Sequence, residues 1–132
     1  MKILYLEGNI GAGKTTLLNK LKQLGYDTIP EPTEEWSRAL HIFYQSPIPI
    51  HGMALQTTIL TSIYLNILEK IRTATDQVLI FERSLDSVEL FTTHLLSQGK
   101  LATMQAKLIT ELVREFKEDL SNMDIKEEHI YL

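Results

Sequence analysis

Eight residues near the amino terminus, Gly8-Asn9-Ile10-Gly11-Ala12-Gly13-Lys14-Thr15, set glycines, a lysine and a hydroxyl at the spacing of a phosphate-binding Walker A loop. Glycines let a backbone curl until successive N–H groups face one anion, and a helix starting there adds its positive end. Lys14 would reach the β- and γ-phosphates of ATP, the Thr15 hydroxyl would take a Mg2+ position, and Thr16 could bond a phosphate nearer the ribose. Two further places hold groups able to act on such a phosphate. Glu31, between Pro30 and Pro32, is a carboxylate that could activate a hydroxyl for attack, although a solvated loop glutamate is the plainer reading of that residue alone. Glu82-Arg83-Ser84 closes a Val-Leu-Ile-Phe run in the manner of a Walker B acid. Glu82 would hold Mg2+ directly or through water, and Arg83 would offer charge to a phosphoryl group in transfer, with a surface ion pair as the alternative.

These three places make one site only if the chain brings them to a common edge. Lys2–Glu7 is a short apolar run that ends in glycine, hence a buried strand. From Lys14 to Leu24, Leu17, Leu18, Leu21 and Leu24 recur at helical spacing and Gly25 stops the helix. Thr28–Glu31 is extended, with Pro30 and Pro32 holding its end out of helix. Helices are predicted over Glu34–Tyr44, closed by Ser46-Pro47-Ile48-Pro49, and over about Met53 to Thr73. Gln77–Phe81 reads as a strand, Ser84–Ser97 and Thr103–Leu120 as amphipathic helices, and His129–Leu132 as a last strand. Strand alternating with helix predicts an α/β fold, a P-loop NTPase-type parallel sheet with helices on both faces. In such sheets ligands bind at the carboxyl ends of the strands, where all three motifs fall.

The bulk properties narrow the chemistry further. The 132 residues suit one domain, read as a single unit over 1–132. A net charge of −4 with scattered positive residues argues against a nucleic-acid partner. The absence of cysteine removes thiolate zinc sites and cysteine nucleophiles, and His41, His51, His94 and His129 have no metal-ligand spacing. Met53–Leu68 is apolar but interrupted by Gln56, Thr57, Thr58, Thr61, Ser62 and Asn66, so no membrane span is expected and the protein is read as cytoplasmic.

Glu7-Gly8-Asn9-Ile10-Gly11-Ala12-Gly13-Lys14-Thr15-Thr16, Glu31-Pro32-Thr33-Glu34-Glu35-Trp36, Gln56 and Glu82-Arg83-Ser84 together resemble the deoxynucleoside kinase family along essentially the whole chain. The resemblance implies an ATP- and Mg2+-dependent transfer to the 5′-hydroxyl of a deoxynucleoside. It makes Glu31 the base for that hydroxyl, with Arg83 touching the hydroxyl and the phosphoryl group, and Glu82 placing Mg2+. Gln56 would bond the base edge, Trp36 wall the pocket and Tyr44 approach the 3′-hydroxyl, with Ile59, Ile63, Val88 and Phe91 also lining it. Apart from the resemblance, Trp36 and Tyr44 read as core and Gln56 as a solvated helix position. Cytidine-preferring members carry an arginine and an aspartate where this chain has Ile63 and Val88, so the resemblance leans towards thymidine or broad pyrimidine use.

The chain departs from the family pattern in two places. The stacking aromatic is expected near Thr92, whereas Phe91 comes one position early, a rotation of about 100° on a helix. The strand at His129–Leu132 is followed in the family by helices and an arginine-rich lid, so the domain is expected to be incomplete at its carboxyl end. A homodimer through the helices is a further implication. Two other readings stand beside this one: a thymidylate-type nucleoside monophosphate kinase, and a nucleotide-binding fragment without catalysis.

Overall fold

The computed structural model describes residues 1–8, 12–75 and 77–132. Its elements are β1 (Lys2–Glu7), α1 (Lys14–Gln23), β2 (Asp27–Ile29), α2 (Thr33–Gln45), α3 (Pro49–Thr73), β3 (Val78–Phe81), α4 (Asp86–Ser97), α5 (Thr103–Ser121) and β4 (Lys126–Tyr131). The strands form one parallel sheet in the order β2-β3-β1-β4. The α/β architecture expected from the alternating pattern is present.

Alternation along β1 assigns the two faces. Leu4 and Leu6 join Val78, Ile80, Leu17, Leu18 and Leu21 in a small cluster under α1. Ile3 and Tyr5 point the other way, into the larger core with Leu79 and Phe81, Ile63 and Ile67 of α3, Val88 and Leu95 of α4, and Ile109 and Val113 of α5. Of the apolar stripe Met104, Leu108, Leu112, Val113, Phe116 and Leu120 on the amphipathic fifth helix, the last four belong to this core, while Met104 and Leu108 stay exposed.

The strand order locates the functional crevice. The chain leaving β1 travels past β3 to build β2, while the chain leaving β3 crosses β1 to build β4. Connections from the adjacent strands β1 and β3 thus part in opposite directions, opening a crevice at their carboxyl ends. The loop after Glu7 and the Glu82-Arg83-Ser84 turn both start there.

Three elements start two or more residues from where they were expected, each for a local reason. α3 begins at Pro49, not near Met53, because proline at the first helical position loses only an N–H that has no helical partner there. α4 begins at Asp86, not Ser84, because Ser84 Oγ accepts the Asp86 N–H (3.2 Å) just outside the helix. β4 begins at Lys126, three residues early. Its Lys126-Glu127-Glu128 start disguises a strand, yet its register with β1 runs from Lys2↔Lys126 to Glu7↔Tyr131. There Tyr5 donates to Glu127 (2.7 Å) and Lys2 pairs with Glu128 (3.3 Å). Burial and the adjoining Glu127 carboxylate push the Tyr5 phenol far above its ordinary value, so it remains a donor.

Gly52 sits in the first turns of α3, where a Cβ would lie 2.2 Å from the Lys100 carbonyl oxygen. Only glycine lets the α4–α5 connection rest against α3 this closely, one turn before Gln56. Gly52→Ala should therefore destabilise the fold by about 1–3 kcal/mol through overpacking, as read by chemical denaturation.

Candidate active site

Gly13 ends the phosphate-loop segment with φ +90°, a conformation suited to glycine, and α1 starts at the next residue, Lys14. Asn9, Ile10 and Gly11 of the expected loop lie outside the described residues. Gly8, Ala12, Gly13, Lys14, Thr15 and Thr16 stand at the carboxyl end of β1 and the first turn of α1.

From this turn a connected set of polar contacts crosses the crevice. Thr15 Oγ1 donates to Glu82 Oε1 (2.8 Å), and the other oxygen of Glu82 accepts the backbone N–H of Glu31 (2.9 Å). Glu31 Oε1 receives Arg83 Nε at 2.6 Å and lies 3.7 Å from Lys14 Nζ. Lys14 is only 8% exposed, an uncommon position for an ammonium without a charged neighbour. Two carboxylates and two cations from three strand ends thus balance one another. Pro30, Pro32, Ile63, Asn66 and Phe81 surround Glu31 and Arg83 in a narrow cleft.

Glu7 supplies a tie that motif reading assigned no role. Its Oε1 accepts both the hydroxyl and the backbone N–H of buried Ser84, the latter at 3.2 Å. The end of β1, immediately before Gly8, is thereby fastened to the turn carrying Glu82 and Arg83. A polar side chain at the last position of a buried strand was the available signal.

The expected base-side residues divide into those packed in the core and those turned out of it. Gln56 is 0% exposed, the reverse of a solvated helix position; its Nε2 donates to Thr92 Oγ1 (2.9 Å) and approaches Val88 O (3.3 Å). Trp36 is buried and donates Nε1 to Ser62 Oγ on α3 (2.5 Å). Ile63 and Val88 are buried in the same core, and Ile59 packs against it.

Tyr44 and Phe91 are not brought to this group. Trp36 and Phe43, seven residues apart, share the inner face of α2, which leaves Tyr44 rotated outward and 74% exposed. Val88, Thr92 and Leu95 form the inner face of α4, and Phe91, 51% exposed, meets His94 edge-on outside it. The helix is continuous through Phe91, so no local adjustment of the turn returns the ring to the Thr92 position.

A second ionisable group adjoins Glu7. Atoms of Glu7, Asp86 and His129 approach within 4.8 Å of one another, a proximity invisible in their chain spacing. Lys117 already donates to Asp86 at 2.6 Å, and this bond holds the lysine above its ordinary range. Among the described residues, no helix is long and apolar enough to cross a membrane.

A parallel α/β sheet with a glycine-rich turn, a buried lysine and an acid–arginine pair at its switch point defines a P-loop kinase fold. The chain belongs to the deoxynucleoside kinase family, whose profile, described as "Deoxynucleoside kinase", matches residues 4–132. It is 32% identical over 134 aligned residues to a deoxyguanosine kinase of Dictyostelium discoideum, an alignment covering 99% of this chain and 45% of the relative. It is also 44% identical over 48 residues to a protein of fowlpox virus (strain NVSL) named "Probable deoxycytidine kinase", covering 35% of this chain and 20% of that one. The two alignments thus cover less than half the length of either relative.

Proposed function

We propose that the protein transfers the γ-phosphoryl group of ATP to the 5′-hydroxyl of a deoxynucleoside, with thymidine as the favoured base. The observation that carries this reading is the linked set Thr15–Glu82–Glu31–Arg83 with Lys14 beside it. Both cations meet Glu31 at Oε1, and Oε2 has no hydrogen-bond partner among the described residues. That oxygen is available to take the proton of an incoming hydroxyl. The nucleoside oxygen bonds to phosphorus, the bond from phosphorus to the ADP oxygen breaks, and the proton passes to Glu31. Arg83, held by its Nε, directs its remaining N–H groups to the phosphoryl oxygens. Lys14 exchanges its contact with Glu31 for the phosphates and offsets their charge.

Thr15 and Glu82 form an adjacent hydroxyl and carboxylate, the all-oxygen donor set that suits Mg2+. When bound there, Mg2+ would neutralise charge on the phosphates. The leaning to thymidine is supported by Ile63 and Val88, buried apolar side chains at the two positions where the resemblance puts charged residues in cytidine-preferring members.

ATP-dependent turnover of thymidine, deoxycytidine, deoxyadenosine and deoxyguanosine, with thymidine monophosphate alongside, tests the reading. Thymidine should lead. A strong deoxycytidine preference would refute the base assignment, and turnover of the monophosphate alone would refute the nucleoside assignment.

A further inference from the structure

The fold treats the two ends of the buried Gln56 amide differently. Its Nε2 faces Thr92 Oγ1 at 2.9 Å and Val88 O at 3.3 Å. Thr92 Oγ1 gives its own proton to Val88 O at 2.8 Å. A hydroxyl has one proton, so Thr92 meets Gln56 only as an acceptor, and the Val88 carbonyl is an acceptor by nature. Both neighbours therefore call for N–H, which sets the orientation of the amide; a flipped Gln56 would press its carbonyl against two acceptors. The consequence is that Oε1 is buried with no hydrogen-bond partner among the described residues. Buried acceptors are seldom left in that state, and a ligand donor is one remedy.

We propose that Thr92 is a specificity-determining positioning residue: together with the Val88 carbonyl it occupies both N–H groups of the Gln56 amide, so the base is read through the single acceptor Oε1 and must present an N–H. This inference rests on the nucleoside reading above. An untethered glutamine amide would read a donor and a neighbouring acceptor on the base together. With both Nε2 protons held by Thr92 and Val88, the acceptor beside the base N–H goes unread, and further discrimination falls to the shape set by Ile63 and Val88.

The test compares wild type and Thr92→Val by calorimetric binding of thymidine, 3-methylthymidine and 4-thiothymidine. The first analogue lacks the N3 donor; the second keeps it but replaces the O4 acceptor with weakly accepting sulfur. Wild type should bind 4-thiothymidine within about twofold of thymidine and 3-methylthymidine about tenfold or more weakly, since the methyl group leaves Oε1 unpaired. Thr92→Val, which frees the N–H that Thr92 held, should discriminate against 4-thiothymidine by about two- to tenfold, the worth of one neutral hydrogen bond. A purely structural loss would weaken thymidine and 4-thiothymidine alike and would overturn the proposal, as would wild-type discrimination against 4-thiothymidine.

A ligand-free measurement separates the two levels. The Gln56 side-chain NH2 protons, assigned in an amide NMR spectrum with Gln56→Glu, should exchange slowly in wild type and rapidly in Thr92→Val. Rapid exchange in wild type overturns the tether itself. Slow exchange without binding of any nucleoside overturns the specificity claim through the nucleoside reading, with the tether intact.

Discussion

Glu31→Gln is expected to reduce turnover of nucleoside phosphorylation by about 10²- to 10⁴-fold, the usual contribution of a positioned general base. The substitution keeps the shape and the backbone bond from Glu31 N to Glu82 Oε2. It removes the charge that Arg83 meets at 2.6 Å and Lys14 at 3.7 Å. Lys14 is nearly buried, so the ligand-free variant should also lose about 1–3 kcal/mol of stability, the cost of leaving a buried polar group poorly paired. Nucleotide phosphates supply a new counter-charge, and saturating ATP should narrow that deficit. Turnover at saturating ATP together with thermal unfolding, with and without nucleotide, separates the two effects. Turnover restored in full by ATP would show that Glu31 serves only to balance its two cations.

Lys14→Met should act in the opposite sense on stability while still disabling the site. The side chains are close in volume, and losing a nearly buried ammonium removes its desolvation cost without leaving Glu31 unpaired, because Arg83 still meets that carboxylate. Glu31 keeps its bond to Arg83 in this variant. Transfer should nevertheless fall by about 10²- to 10³-fold, because a preorganised cation no longer faces the phosphates in the transition state. Denaturation should find a chain as stable as wild type or more so, with kcat/KM for ATP collapsed. A lysine retained only for packing or pairing would give the reverse pattern.

Much of this site was legible because its chemistry follows chain punctuation. Gly8 and Gly13, the prolines around Glu31, and the acid closing Val78–Phe81 each mark a strand end, and parallel topology gathers strand ends at one edge. The contacts among Thr15, Glu82, Glu31 and Arg83 turn that gathering into geometry. Less legible was anything decided by helix rotation. Tyr44 and Phe91 are each one residue from an inward position, and about 100° per residue puts them on the exposed face. Helical phase is fixed by what Trp36, Phe43, Val88 and Leu95 pack against, and those partners are distant in the chain.

Paired polar residues were misjudged for a related reason. Gln56 reads as a solvated position until Thr92 and Val88 are seen to satisfy its N–H group. The charged opening of β4 conceals a strand because Glu127 is matched by Tyr5 and Glu128 by Lys2, both on the neighbouring strand. Glu7 was given no role because its partner, Ser84, lies 77 residues away. In each case one side of the pairing is a poor predictor and the pair is a good one.

The central claim is best tested by following the γ-phosphoryl group of labelled ATP in the presence of thymidine, with wild type and Glu31→Gln in parallel. The account predicts label at the thymidine 5′-oxygen in wild type and a near-complete loss in the variant. Tight ATP binding with no label on thymidine or any other deoxynucleoside would contradict it, as would label transfer that the variant leaves unchanged.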